Sequence, residues 1–399
     1  MKKLNILFIA PSFPKEEKGS NIYTDLAEEI NKKHKITVIV AEEKQKITKT
    51  ELNEERKMPV LRVKIGNLYG VSFIEKGITF ITMQRKIKKS IKKYFNDKNF
   101  DLILFMAPPV TLGSVVKYAM KKYNAKSYLM QKDIFPQNSL DLGILSKKNP
   151  MYYYFKHKEK NTYKVATKIG CMSQGNIDYL MEHNTYLNKE KLELFPNTIT
   201  LKPISKNKTN IREKYNISKD KVLATYGGNF GKPQGVNFIK KVLDLYKNDE
   251  RVVFFFSGRG TEKEDLFNYI KENGFKNVIT QDYIPRNHYE ELLKETNIGL
   301  IFLDYRFSIP NIPSRTLSYF EYGIPIMAAT DKKTDYKDII VKDAKAGIWC
   351  ESNNAEDFKK QFDYLIENED ERIQMGKNGR RYLEDNWTTE KSIKILENL

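Results

Sequence analysis

Short apolar runs alternate with amphipathic stretches along the whole chain, the signature of parallel sheets covered by helices on both faces. Two blocks of strands are predicted. The first holds residues 4–10, 36–41, 60–65, 102–106, 126–130 and 168–172, and the second residues 222–226, 252–257, 278–280, 298–303, 325–328 and 347–350. Between them residues 196–220 are polar, rich in Lys and Asn and without a long apolar run, which places a linker there. From Phe358 onward the pattern is helical, with an interruption expected near Gly376 to Gly379. A length of 399 residues suits two α/β domains rather than one core. The expected division is 1–200, then 201–380, then a C-terminal helix over 381–399 that ties the two.

Composition narrows the class. Hydrophobic residues make up 40% and aromatic residues 12%, a globular balance, and no apolar run approaches the roughly 18 residues of a membrane span. The apolar stretch after Met1-Lys2-Lys3 is short and meets Pro11 at once, so it reads as a first strand and the protein as cytoplasmic. Two cysteines far apart, no Cys-x-x-Cys and only four histidines suggest neither a disulfide framework nor a metal site. A formal charge of +18 predicts attraction to a polyanion, whether nucleic acid, an acidic membrane or a phosphorylated substrate.

Three segments of the second block carry candidate chemistry. Ala224-Thr225-Tyr226-Gly227-Gly228-Asn229-Phe230-Gly231-Lys232-Pro233-Gln234-Gly235 follows a buried strand, and its glycines let backbone N–H groups approach a ligand while Lys232 reaches a diphosphate. The other reading is a tight strand-to-helix turn. Phe256-Ser257-Gly258-Arg259-Gly260-Thr261-Glu262 ends the next strand with the five-donor head of Arg259. Asn311-Ile312-Pro313-Ser314-Arg315-Thr316 opens a helix that stops at Gly323, adding a hydroxyl and a guanidinium where helical N–H groups are unpaired, or else forming an ordinary capped turn. In the first block, Lys132-Asp133 closes a strand; Asp133 either orients a substrate or caps the turn before Pro136. Gly19-Ser20-Asn21 starts a helix after the first strand, with Ser20 as its N-cap.

The order Gly-Gly-Asn-x-Gly-Lys-x-Gln-Gly, Ser-Gly-x-Gly, Tyr283-Ile284-Pro285, Ile312-Pro313-Ser314-Arg315 and Gly323-x-Pro325 resembles the donor half of family 4 retaining glycosyltransferases. Asp133-Ile134-Phe135-Pro136-Gln137-Asn138-Ser139, Leu142-Gly143, Cys171-Met172-Ser173-Gln174-Gly175-Asn176 and Leu194-Phe195-Pro196-Asn197 are similar to members that build bacterial capsule and O-antigen. The resemblance covers nearly the whole chain. It implies an α/β fold, the GT-B arrangement of two Rossmann-like domains facing a central cleft, and sugar transfer from a nucleotide diphosphate with retention and without metal or cofactor. The implied donor-binding residues are Gly228, Asn229, Lys232, Gln234, Arg259, Ile284, Ser314, Arg315, Ser318 and Glu321; the catalytic candidates are Asp133 and Lys132, and Gly19 and Ser20 lie on the acceptor side. Two acids of the family pattern are replaced. A glutamate that grips the ribose falls at Ser318, with Glu321 three residues on as its substitute or as a solvent-facing residue, and an earlier glutamate falls at Pro310. The family's Arg and Lys in the first glycine segment correspond to Asn229 and Gln234, leaving Lys232 as the cation.

The implied reaction moves a hexosyl or N-acetylhexosaminyl group from a UDP-linked donor to a lipid-diphosphate-linked saccharide, at the inner face of the cell membrane. Residues 68–94 offer a membrane contact: apolar Tyr69, Val71, Phe73, Ile74, Ile78, Phe80 and Ile81 precede Arg85, Lys86, Lys88, Lys89, Lys92 and Lys93. The alternative is a solvated basic helix with Ile87, Ile91 and Tyr94 toward the core. Two other functions remain open on sequence grounds: a sugar-nucleotide epimerase of the same fold and a basic nucleic-acid-binding protein, although no zinc finger, RNP or KH signature is present.

Overall fold

The computed structural model describes residues 3–68, 71, 73–201, 203 and 209–399. Its fourteen described strands are β1 (Asn5–Ala10), β2 (Lys35–Glu43), β3 (Glu51–Glu55), β4 (Met58–Ile65), β5 (Leu102–Ala107), β6 (Lys126–Gln131), β7 (Lys168–Cys171), β8 (Leu192–Leu194), β9 (Val222–Asn229), β10 (Val252–Arg259), β11 (Val278–Gln281), β12 (Ile298–Phe302), β13 (Ile326–Thr330) and β14 (Gly347–Glu351). They form one eight-stranded sheet, β3-β4-β2-β1-β5-β6-β7-β8, and one six-stranded sheet, β11-β10-β9-β12-β13-β14. Every pairing is parallel except β3 with β4.

The parallel arrangement follows from strands that are apolar on both faces. In the first sheet Leu7, Ile9, Ile103 and Phe105 enter one helix-covered core, while the alternating Ile6, Phe8, Leu102 and Leu104 enter the other. In the second sheet Ala224, Tyr226, Phe254 and Phe256 face one layer and Leu223, Val253 and Phe255 the opposite one. The predicted strands are all present. Two short edge strands were not predicted: β3, whose Glu-Leu-Asn-Glu-Glu carries one apolar residue, and the three-residue β8.

The chain divides into two compact units. One comprises residues 1–200 together with 389–399; the other is residues 201–388. The boundary expected at 381 lies inside the continuous helix Glu369–Asn386, so residues 381–388 belong to the second unit. The expected break at Gly376 to Gly379 is absent. A Cβ on Gly376 would stand 1.9 Å from the Gly323 carbonyl oxygen and one on Gly379 would stand 2.7 Å from the Phe320 ring, so these glycines allow close approach to the helix Arg315–Glu321. The final helix, Thr389–Glu397, closes the first unit: Ile393 and Leu396 are buried among Ile6, Phe8 and Ile30, Thr198 and Ser392 share a hydroxyl hydrogen bond of 2.9 Å, and buried His34 Nε2 lies 3.0 Å from Glu397 Oε1.

Candidate functional site

In the second unit the sheet order sets β10, β9 and β12 side by side, which brings the three candidate segments to one carboxyl edge. The glycine-rich segments expected as loops are largely strand. The β9–β10 ladder continues through Gly227↔Ser257, Gly228↔Gly258 and Asn229↔Arg259. Gly258 has a positive φ of 158°, and a Cβ there would meet the Gly228 carbonyl oxygen at 1.7 Å, so the glycines let the two strand ends stay in register at close approach.

Beyond the ladder the chain turns at Gly231. Gln234, buried, accepts from Asn229 Nδ2 at 2.8 Å and from the Gly231 N–H at 3.1 Å, so these two carboxamides hold the turn together. Lys232 is exposed beside them, with no ion pair among the described residues. Arg259 is also exposed; its guanidinium lies 4.0 Å over the Tyr283 ring, and half-buried Ile284 packs against the apolar cluster that includes Leu292 and Phe255. Ser314 stands at the N-cap of Arg315–Glu321 without a side-chain capping bond, exposed. Ser318 is half-buried one turn on, and the Glu321 carbonyl accepts from Arg380 Nη1 at 2.7 Å.

Arg315 has the most unusual setting. Its guanidinium sits 3.9 Å over the buried Tyr226 ring, it forms no ion pair among the described residues, and its Nη1 is buried without a hydrogen-bond partner. Gly228 makes room for it: a Cβ there would lie 2.8 Å from Nη2. Tyr226 donates to the Asn229 carbonyl at 2.6 Å and Tyr319 to the Thr225 carbonyl at 2.8 Å, so the surrounding rings are fixed by backbone. The tyrosines escaped the sequence reading, because only the sheet order brings residues 226, 289 and 319 together.

In the first unit, the carboxyl end of β6 presents Lys132 and Asp133. The Lys132 N–H continues the sheet by donating to the Ala107 carbonyl at 3.0 Å, and its Nζ lies 3.3 Å from Met172 Sδ and over the Phe195 ring. Burial pushes the Lys132 amine down to about 7, with Asp133 and Cys171 pulling it back up. The Asp133 carboxyl is raised above its ordinary value by desolvation, against the pull of Lys132, yet its side chain still reaches solvent. Its carbonyl accepts from Gln131 Nε2 and from the Phe135 N–H, so the backbone rather than the carboxyl makes the turn before Pro136. Across the strand ends, Tyr23 is raised by burial and then by Asp133. Tyr23 belongs to the helix Ile22–Lys33, whose N-cap is Asn21 and not Ser20: Asn21 Oδ1 accepts from the Tyr23 and Thr24 N–H groups. Gly19, at a φ of 88°, ends the preceding turn, and its carbonyl accepts from Arg56.

Two sheets of this topology, each with its candidate residues at the carboxyl ends of parallel strands, define the Rossmann-like α/β fold of GT-B glycosyltransferases. The chain superposes over 99% of its length on 98% of sucrose-phosphate synthase from Thermosynechococcus elongatus, with a TM-score of 0.77 at 14% identity. HepE of Anabaena in complex with UDP-glucose matches with a TM-score of 0.69 at 14% identity, over 99% of this chain and 100% of that one. WaaG, a glycosyltransferase involved in lipopolysaccharide biosynthesis, matches with 0.69 at 15% identity, over 98% and 99% of the two chains. More particularly, residues 207–382 match the profile of Glycosyl transferases group 1. An uncharacterised glycosyltransferase of Methanocaldococcus jannaschii is 24% identical over 247 residues, which is 61% of this chain and 60% of that relative.

Proposed function

We propose that the protein is a retaining, metal-independent glycosyltransferase that moves a hexosyl or N-acetylhexosaminyl group from a UDP-sugar to a lipid-diphosphate-linked saccharide in surface polysaccharide synthesis. The observation that carries the donor half of this reading is Arg315, a cation without a carboxylate partner whose buried Nη1 lacks an acceptor. A buried charge in that state is costly unless a ligand completes it. Lys232 and Arg259, on the neighbouring strand ends, add two exposed cations, a charge suited to a diphosphate leaving group. These side chains would stabilise the departing UDP, while Asp133 orients an acceptor hydroxyl. The group 1 match over residues 207–382 supports the same reading.

The experiment is UDP release from a panel of UDP-sugars with lipid-linked acceptors, together with calorimetric titration of UDP. Lys232→Ala and Arg259→Ala are each expected to weaken UDP about tenfold, the range of a charge-assisted hydrogen bond, with the fold intact. Wild-type affinity in both variants would remove the diphosphate site.

A lipid-linked acceptor also requires an anionic membrane nearby, and the helix Phe73–Tyr94 supports that contact. Arg85, Lys86, Lys89, Lys92 and Lys93 are exposed, Lys88 is half-buried, and Ile78 and Ile81 are 57% and 50% exposed. The apolar part is smaller than expected. Phe80 packs edge-on against Phe155, and Met83, Ile87 and Ile91 enter the core. Tyr69 and the side chains of Phe73 and Ile74 lie outside the described residues.

A further inference from the structure

We propose that Tyr226 and Tyr289 are positioning residues that aim the Arg315 guanidinium at the oxygens of a nucleoside diphosphate, with the Tyr289 hydroxyl as a second donor to the same anion. This rests on the donor reading above and adds the residues that make Arg315 work. Tyr289 comes from the helix Arg286–Glu295 and lays its ring edge against β9, where a Cβ on Gly227 would stand 2.3 Å from the ring and 2.5 Å from the hydroxyl oxygen. Gly227 and Gly228 therefore clear adjacent places for Tyr289 and Arg315 on one strand end. Like Arg315 Nη1, the Tyr289 hydroxyl is buried and makes no hydrogen bond of good geometry among the described residues; the Tyr319 hydroxyl beside it is already committed to the Thr225 and Leu300 carbonyls. Two neighbouring donors that are both unsatisfied point to one shared missing acceptor.

The chemistry of that acceptor follows from its surroundings. Tyr226, Tyr289 and Tyr319 are neutral at physiological pH; burial pushes the Tyr289 phenol up to about 12, so it is a protonated donor. No carboxylate among the described residues pairs with Arg315, so the ligand has to bring the negative charge. A guanidinium fork suits phosphate oxygens, and stacking on Tyr226 fixes the plane of the fork at little further entropic cost. Both orphan atoms are shielded from solvent in the free protein, so an anion that reaches them would supply hydrogen bonds that the free protein forgoes.

The test titrates UDP and uridine against the wild-type protein, Tyr289→Phe and Arg315→Lys. Tyr289→Phe keeps the ring and removes only the hydroxyl; Arg315→Lys keeps the charge and removes the fork. Each is expected to weaken UDP about tenfold, as loss of a hydrogen bond to a charged group does, while uridine affinity stays within about twofold. Equal losses for UDP and uridine mean a purely structural role and overturn the inference. So does wild-type UDP affinity in Tyr289→Phe. A wild-type protein that binds no UDP overturns the donor reading itself, and the inference with it.

Discussion

At Lys132 the protein holds an amine where burial opposes its charge, and the consequence is a pH dependence of known sign. The folded amine titrates near 7, while a free lysine does so near 10. Between those values the unfolded chain holds a proton that the folded protein lacks, so the stability of the first unit should rise with pH across this window. Below about 7 the full penalty of the buried cation is present. Lys132→Met should therefore raise the urea midpoint at pH 6.5 more than at pH 9.5; a larger gain at the higher pH would contradict the assignment. Beside it, Asp133→Asn should lower turnover while leaving UDP affinity and fold unchanged, because the proposed role lies with the acceptor. Unchanged turnover at saturating substrates would reduce Asp133 to a solvent-facing residue. The placement of Lys132 and Asp133 at the end of a strand and of Arg315 at the start of a helix was legible in the sequence, because charged residues at the joints of an α/β pattern stand out; their roles remain the proposal. The assignments of Asn229 and Gln234 were less informative, since a carboxamide reads the same whether it binds a ligand or, as here, locks its own turn.

Among the elements, buried parallel strands announced themselves by apolar runs, and all twelve expected ones are present. Glycine misled in both directions. Gly227, Gly228 and Gly258 read as loop but continue a ladder, and Gly376 and Gly379 read as a helix break but lie within a helix packed closely on its neighbour. In each place the lack of a side chain serves close approach, which sequence signals do not separate from chain reversal. The helix Phe73–Tyr94 was seen with its basic face, yet Phe80 proved to be a core contact, leaving Ile78 and Ile81 as the exposed apolar residues. At about 1 kcal/mol per cation near an acidic surface, Lys88, Lys89, Lys92 and Lys93 would supply most of the attraction. Changing all four to Gln should reduce co-sedimentation with anionic vesicles and activity on a long-chain lipid acceptor, while sparing UDP binding and a short soluble acceptor. Equal activity losses on both acceptors would argue against membrane docking.

For the whole molecule, the decisive feature is that residues 389–399 return to the first unit after the second is complete. Ile393 and Leu396 are each almost fully buried there, and removing such a side chain from a core costs about 2–5 kcal/mol. Deleting residues 389–399 should thus lower the melting temperature of the first unit and leave the second nearly unchanged, giving two resolved calorimetric transitions. A uniform shift of both would mean that the last helix supports the molecule in another way. The same feature has a consequence for synthesis. Vectorial translation normally lets the N-terminal domain of a chain settle first. Here the ribosome has built all of residues 201–388 before it supplies the helix that fills the gap beside Ile6, Phe8 and Ile30, so the half that begins emerging first is the last to be finished. Until then the nascent first unit lacks the cover of that gap, and a chaperone acting during translation would find its work on the first unit rather than on the second.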